Sequence, residues 1–155
     1  MKALVQRVSR GSVHIHGVLQ GSIGPGFVVL VGVRHGDGAA DARLLAHKTV
    51  RLRVFPDAAG RMNRSLQDTG GSVLAISQFT LYADTRKGHR PSFIGAADPQ
   101  PAENVFNVFL DALRSELGPE RVACGRFGAD MLVEILNDGP VTIELSTDDR
   151  IQSGG

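Results

Sequence analysis

Phe27-Val28-Val29-Leu30-Val31-Gly32-Val33 (residues 27–33) is the longest apolar run in the chain. Apolar side chains sit at both odd and even positions, so a strand built from it buries both faces. Working outward, Gly24-Pro25-Gly26 makes a turn before the run and Gly36-Asp37-Gly38 breaks the chain after it. Residues 3–16 carry Val5, Val8, Val13 and Ile15 in imperfect alternation. They read as a strand bent near Ser9-Arg10-Gly11, with a hairpin turn at His16-Gly17 into Val18-Leu19-Gln20. From Ala39 to about Leu52 the period turns helical (Leu44, Leu45, Lys48, Thr49, Leu52), with Asp37 or Asp41 to cap the start. Val54-Phe55 and Met62 flank a second hairpin turn, and Val73-Leu74-Ala75-Ile76 form the centre of a short buried strand, Ser72 to Ser77. Ala102 to Leu117 is the clearest helix, with Val105 or Phe106, Phe109, Leu113 and Leu117 on one face and Gly118-Pro119 as its stop. Strands follow at 122–124, 131–136 and 141–145, the last two separated by Asp138-Gly139-Pro140. The pattern predicts an α/β fold in three layers, α/β/β, with mixed sheets and two main helices.

The 155 residues fit one domain. We place it at residues 1–146 and expect 147–155 to be a flexible C-terminal tail, polar and ending in glycine. Gly is 19 of 155 residues, which fits the many turns that short strands require. Lys plus Arg is 17 and Asp plus Glu is 16, so no whole-molecule field draws in a polyanion, and any such contact must be local. The candidate is the cluster Arg86, Lys87, His89 and Arg90, in a long polar stretch from Ala83 to Pro101; an incidental solvated loop explains it equally well. Trp is absent and Tyr82 is the sole tyrosine, which argues against a platform stacking several bases. Cys124 is the single cysteine, so an intrachain disulfide is excluded; it reads as a small buried hydrophobe. Seven apolar residues fall far short of the ~18 that span a bilayer. The N-terminus lacks a secretory stretch, and we expect a cytoplasmic protein with no membrane partner. His14 and His16 share one strand face without a third ligand nearby, so no metal or other cofactor is expected.

Two stretches depart from ordinary strand grammar. Ser77-Gln78-Phe79-Thr80-Leu81 ends a buried strand in hydroxyl, amide, aromatic and hydroxyl. Such a strand end can offer hydroxyls and free backbone N–H groups to an oxyanion, although neither a nucleophile elbow nor a His–acid pair surrounds Ser77, and a polar strand terminus also explains it. Asn137-Asp138-Gly139-Pro140-Val141-Thr142 reads as a hairpin corner. Its Gly-Pro bond also tolerates the cis form, which aligns two carbonyls as a receptor for an ammonium group.

Together these stretches resemble the D-aminoacyl-tRNA deacylase family. The likeness also takes in Gln6-Arg7-Val8, Val31-Gly32-Val33, Leu52-Arg53-Val54-Phe55, Lys87-Gly88 with Arg90-Pro91-Ser92-Phe93, and Gly125-Arg126-Phe127-Gly128-Ala129-Asp130-Met131. A tail longer than expected for the family, beyond about Ser146, is the visible departure. The resemblance implies hydrolysis of the ester joining a D-amino acid, or glycine, to the terminal ribose of tRNA. It implies a homodimer with the site at the subunit interface, tRNA as partner and no DNA. One subunit would give Ser77, Gln78, Phe79 and Thr80, the other its Gly139 and Pro140 carbonyls to hold the substrate ammonium. Arg7 would fix that corner, and Ala102, Phe127 and Met131 would line the pocket. Thr80 is either the nucleophile or a bystander to backbone N–H groups that polarise the ester. The rival readings are a non-catalytic RNA-binding module using Arg86–Arg90 and a synthetase-type editing domain clearing an L-aminoacyl ester.

Overall fold

The computed structural model describes residues 1–148. The run at 27–33 becomes β3 (Gly26–Gly32), flanked by β1 (Lys2–Ile15) on one side and β6 (Ser72–Ser77) on the other. β1 pairs antiparallel with β3, whereas β6 runs parallel to it, and β7 (Val122–Cys124) adds parallel to β6. The two faces of β3 divide as the sequence predicts. Phe27, Val29 and Val31 belong to a core shared with α1 (Ala39–Arg51) and α3 (Pro99–Leu117), while Val28 faces a second core with Val8, Val13, Ile23, Leu74 and Ile76.

That second core exists because β1 bends. Its first half pairs with β3, and past Ser9 it pairs with β2 (Val18–Ile23) instead. β8 (Leu132–Ser146) follows β1 along its whole length, and the ladder shifts register between Val8 and Arg10. The far half of β1, β2 and the start of β8 thereby fold over β3, β6 and β7, closing the second β layer. Gly11 permits the approach, since a Cβ there would lie 2.6 Å from Cγ2 of Val28. The result is the expected α/β/β stack, with a nearly closed sheet and a separate hairpin of β4 (Phe55–Pro56) and β5 (Met62–Arg64).

Four details differ from the sequence reading. α3 starts at Pro99, because proline fits the first helical turn, where its missing N–H has no partner to lose. A short helix α2 (Leu66–Thr69) was not expected; Ser65 caps it, accepting from the Asp68 N–H at 3.2 Å while the Asp68 carboxylate accepts from the Ser65 N–H at 2.8 Å. Cys124 is half-buried, packed at the edge of the helix-side core rather than inside it. The last two expected strands are one interrupted strand: Gln6 pairs with Thr142 and Val8 with Asn137, so five steps along β8 face two along β1, and the surplus loops out at Gly139-Pro140. Thr147, the first residue of the expected tail, is buried and its N–H donates to the Met1 carbonyl at 3.0 Å. Residues 149–155, the rest of the expected tail, lie outside the described residues.

Candidate active site

β3 and β6 are parallel, and their carboxyl ends open into a cleft, the place where parallel α/β sheets bind ligands. A cavity of about 580 Å³ lies there, within the range of small-molecule sites. Val31, Val33 and Ile76 form its floor, and Ser77, Gln78 and Phe79 one wall. The first turns of α3 give Ala102 and Phe106, and the segment after β7 gives Phe127 through Met131. The helix-side and loop-side walls meet through Phe106 and Phe127, whose rings lie 6.1 Å apart. At the mouth Phe79 and Phe93 meet edge to face at 5.0 Å. Phe79 is 57% exposed, an uncommon position for a phenylalanine fixed beside a cavity.

The polar wall is held from below. The Gln78 N–H donates to the Val31 carbonyl at 2.7 Å, which locks the end of β6 onto β3. The chain then tightens into a 3-10 turn, Phe79–Tyr82, whose first bond runs from the Leu81 N–H to the Gln78 carbonyl. The N–H groups of Phe79 and Thr80 precede that bond and have no partner within the turn. Burial pushes the Tyr82 phenol above its ordinary range and keeps it neutral at the far end of the turn. Thr80 does not line the cavity; its hydroxyl accepts a hydrogen bond from the Gln78 side-chain amide. An amide is not a base, so this contact does not activate the hydroxyl as a nucleophile.

Arg7, Gly139 and Pro140 form a second cluster, apart from the cavity residues. The Gly139–Pro140 peptide is cis, and both residues are exposed. Arg7 braces this corner: its Nε donates to the Asp138 carbonyl at 3.3 Å and lies 3.5 Å from the Asp138 carboxylate, while Nη1 donates to the Val54 carbonyl at 2.5 Å. Gly139 has φ +120, and a Cβ on it would lie 2.9 Å from Arg7 Nη2, so the corner requires glycine. The sequence reading missed Asn137 as the tie across the corner's base. Its amide donates to the Arg7 and Val141 carbonyls, both at 3.0 Å, and accepts from the Thr142 hydroxyl at 3.2 Å. An amide side chain ahead of a turn sequence was the available signal. Phe93 and Phe106 were also missed as cavity walls.

The expected site residues therefore fall into two groups. Ser77, Gln78, Phe79, Ala102, Phe127 and Met131 share one cavity; Arg7, Gly139 and Pro140 share one corner; Thr80 is beside the first group without facing into it. His14 pairs within the ladder and His16 occupies a turn at φ +49; among the described residues, no group of three or more His, Cys, Asp or Glu is placed to hold a metal ion.

Fold and cleft define a class, an α/β/β domain with an apolar pocket at the carboxyl ends of a parallel strand pair. The model of the D-Tyr-tRNA(Tyr) deacylase family matches residues 4–146, and the chain belongs to that family of hydrolases acting on aminoacyl-tRNA. It is 56% identical over 151 residues to a D-aminoacyl-tRNA deacylase of Dehalococcoides mccartyi, covering 97% of each chain. It is 56% identical over 147 residues to one of Thermomicrobium roseum, covering 95% of this chain and 94% of the other. Among solved structures, a c-Myc DNA unwinding element binding protein superposes with a TM-score of 0.90 at 42% identity, over 95% of this chain and 99% of that one.

Proposed function

We propose that the protein hydrolyses the ester of D-aminoacyl-tRNA, and of glycyl-tRNA, in the cytoplasm, at a site completed by a second copy of the chain. The observation that carries this reading is the separation of the two groups. Within one chain the cavity holds the Ser77–Phe79 wall but no acceptor from Gly139-Pro140, and that corner stands exposed elsewhere. An isologous dimer brings each corner to its partner's cavity and covers the exposed Phe79 ring in the same step.

The chemistry follows from the groups so assembled. The free N–H groups of Phe79 and Thr80 point their dipoles at the ester carbonyl and stabilise the negative charge it gains when water adds. The bond from the carbonyl carbon to the ribose oxygen then breaks, and that oxygen takes a proton, with the substrate's neighbouring 2′-hydroxyl assisting the transfer. Selection is steric. With the ammonium held by the Gly139 and Pro140 carbonyls and the ester fixed at the turn, the α-carbon has two directions left. A D side chain takes the open one; an L side chain is driven into the carbonyls. Glycine has no side chain to exclude.

Complementation tests the composite site. Ala102→Trp fills the cavity, and Gly139→Val breaks the corner, so each homodimer is expected to be inactive on D-aminoacyl-tRNA. Unfolding, remixing and refolding the two gives hybrids with one intact site each, restoring about a quarter of wild-type activity for random pairing of a two-fold dimer. A mixture as inactive as its components sinks the shared site. Failure of the metal-free wild type to release D-amino acids from tRNA leaves the RNA-binding module as the better reading.

A further inference from the structure

Asp84 and Ser92 pair through both backbone bonds, at 2.7 and 2.9 Å, and close a hairpin whose tip is Thr85 to Pro91. The tip carries Arg86, Lys87, His89 and Arg90, all exposed. Arg86 is consumed internally: its Nε and Nη2 bond the two oxygens of Asp84 at 2.9 and 2.7 Å, which uses up the one acidic group of the hairpin. Among the described residues, Lys87 and Arg90 have no carboxylate within ion-pair distance. The residue after Ser92 is Phe93, at the cavity mouth. Two free cations thus stand three and six residues along the chain from Phe93 at the cavity mouth, on a base stapled by Asp84–Arg86 and by the Asp84–Ser92 pair.

We infer that this hairpin grips the phosphates of the unpaired nucleotides that lead into the cavity, and so sets affinity for tRNA apart from the chemistry. The inference rests on the deacylase reading above. Lys87 and Arg90 are three residues apart, so their Cα atoms are at most about 10 Å from each other. That span suits successive phosphates of one strand, while Phe93, exposed at the cavity mouth, offers a ring face to a base beside them. Pro91 is the tip's one apolar side chain, too little to anchor a protein partner, and the tip's cations match the charge of RNA.

The test compares kcat/KM of Lys87→Ala/Arg90→Ala on intact D-aminoacyl-tRNA and on a D-aminoacyl ester of adenosine alone. We expect the tRNA-to-adenosine ratio to fall at least ten-fold. The slope of log(kcat/KM) against log salt for tRNA should flatten by about 1.4, at about 0.7 for each single-strand phosphate no longer neutralised. Lys87→Arg/Arg90→Lys, which keeps both charges, should restore the ratio. An unchanged ratio, or equal loss on both esters, overturns the inference. Fluorescence anisotropy with uncharged tRNA gives a second, activity-free arm: weaker, less salt-dependent binding by the alanine variant supports the grip even if wild type hydrolyses neither ester, which would sink the deacylase reading alone. An equal loss of affinity for duplex DNA of the same length would show a general cationic patch and overturn it.

Discussion

Asn137→Ala removes the tie at the base of the Gly139-Pro140 corner without touching the corner itself. Three hydrogen bonds go: two donated to the Arg7 and Val141 carbonyls at 3.0 Å and one accepted from Thr142 at 3.2 Å. At about 1 kcal/mol net for each, with a discount for partial exposure, the loss is about 2–3 kcal/mol. A domain of this size loses about 2–4 °C in Tm per kcal/mol, so a drop of about 4–12 °C is expected. The functional consequence is separate. The excursion over residues 138–141 is anchored by Asn137 on one side and Arg7 on the other, so loosening one anchor lets the carbonyl pair wander. Discrimination between D- and L-aminoacyl esters should weaken, chiefly through faster hydrolysis of the L-ester. Thermal melting gives the first number, and paired assays on D- and L-esters the second. A Tm within about 1 °C of wild type would refute the value placed on these bonds, given their usual worth. A lowered Tm with the D/L ratio intact would detach the corner from stereochemical selection.

Three further outcomes are expected. Thr80→Ala should keep activity within about ten-fold, because its hydroxyl is bonded to the Gln78 amide and not to a base; removing a true nucleophile costs on the order of a million-fold, and a loss of that size in folded protein would restore Thr80 as the attacking group. The bonds from Arg86 hold the Asp84 carboxyl down at about 2, against 3.8 ordinarily, so the Asp84 ¹³C resonance should titrate there and move back toward 3.8 in Arg86→Gln. Because the folded value is depressed, whatever this pair adds to stability is full above 3.8 and fades as pH falls through 2; a normal titration would remove the staple from the hairpin. Phe106→Ala deletes a side chain 3% exposed between the rings of Phe109 and Phe127, and should cost about 3–5 kcal/mol by urea unfolding. A loss below about 1 kcal/mol would mean the wall collapses to fill the gap.

The layer order was legible because β3 announces it: seven apolar residues of both parities demand two covers, and a one-sided strand does not look like that. The bend at Ser9-Arg10-Gly11 was legible for the same reason, as a break in alternation. α2 was missed because four residues make too little periodicity to register, although Ser65 and Asp68 stand at capping-box spacing. The early start of α3 was missed because prolines at 99 and 101 look like loop until they are placed at a helix N-terminus. Most of the cavity residues lie in the segments that carry the family likeness, yet Phe93 and Phe106 gave no sign of their roles. Their membership depends on how α3 and the chain after β6 close over the strand ends, a long-range fact with no local mark. Asn137 sits inside a recognisable motif, but an asparagine's usefulness there lies in which carbonyls the fold brings to it.

β1 is a single ribbon of fourteen residues that belongs to both stacked layers of the one large sheet. Neither half of the molecule can open without dragging the other along the same backbone. The slowest-exchanging amides should therefore include those of Val5 on one side of the bend and Val13 on the other, with matching protection. For a catalyst whose pocket lies at the end of neighbouring strands, that shared spine means the floor of the cleft stays put while the rim is free to be reshaped.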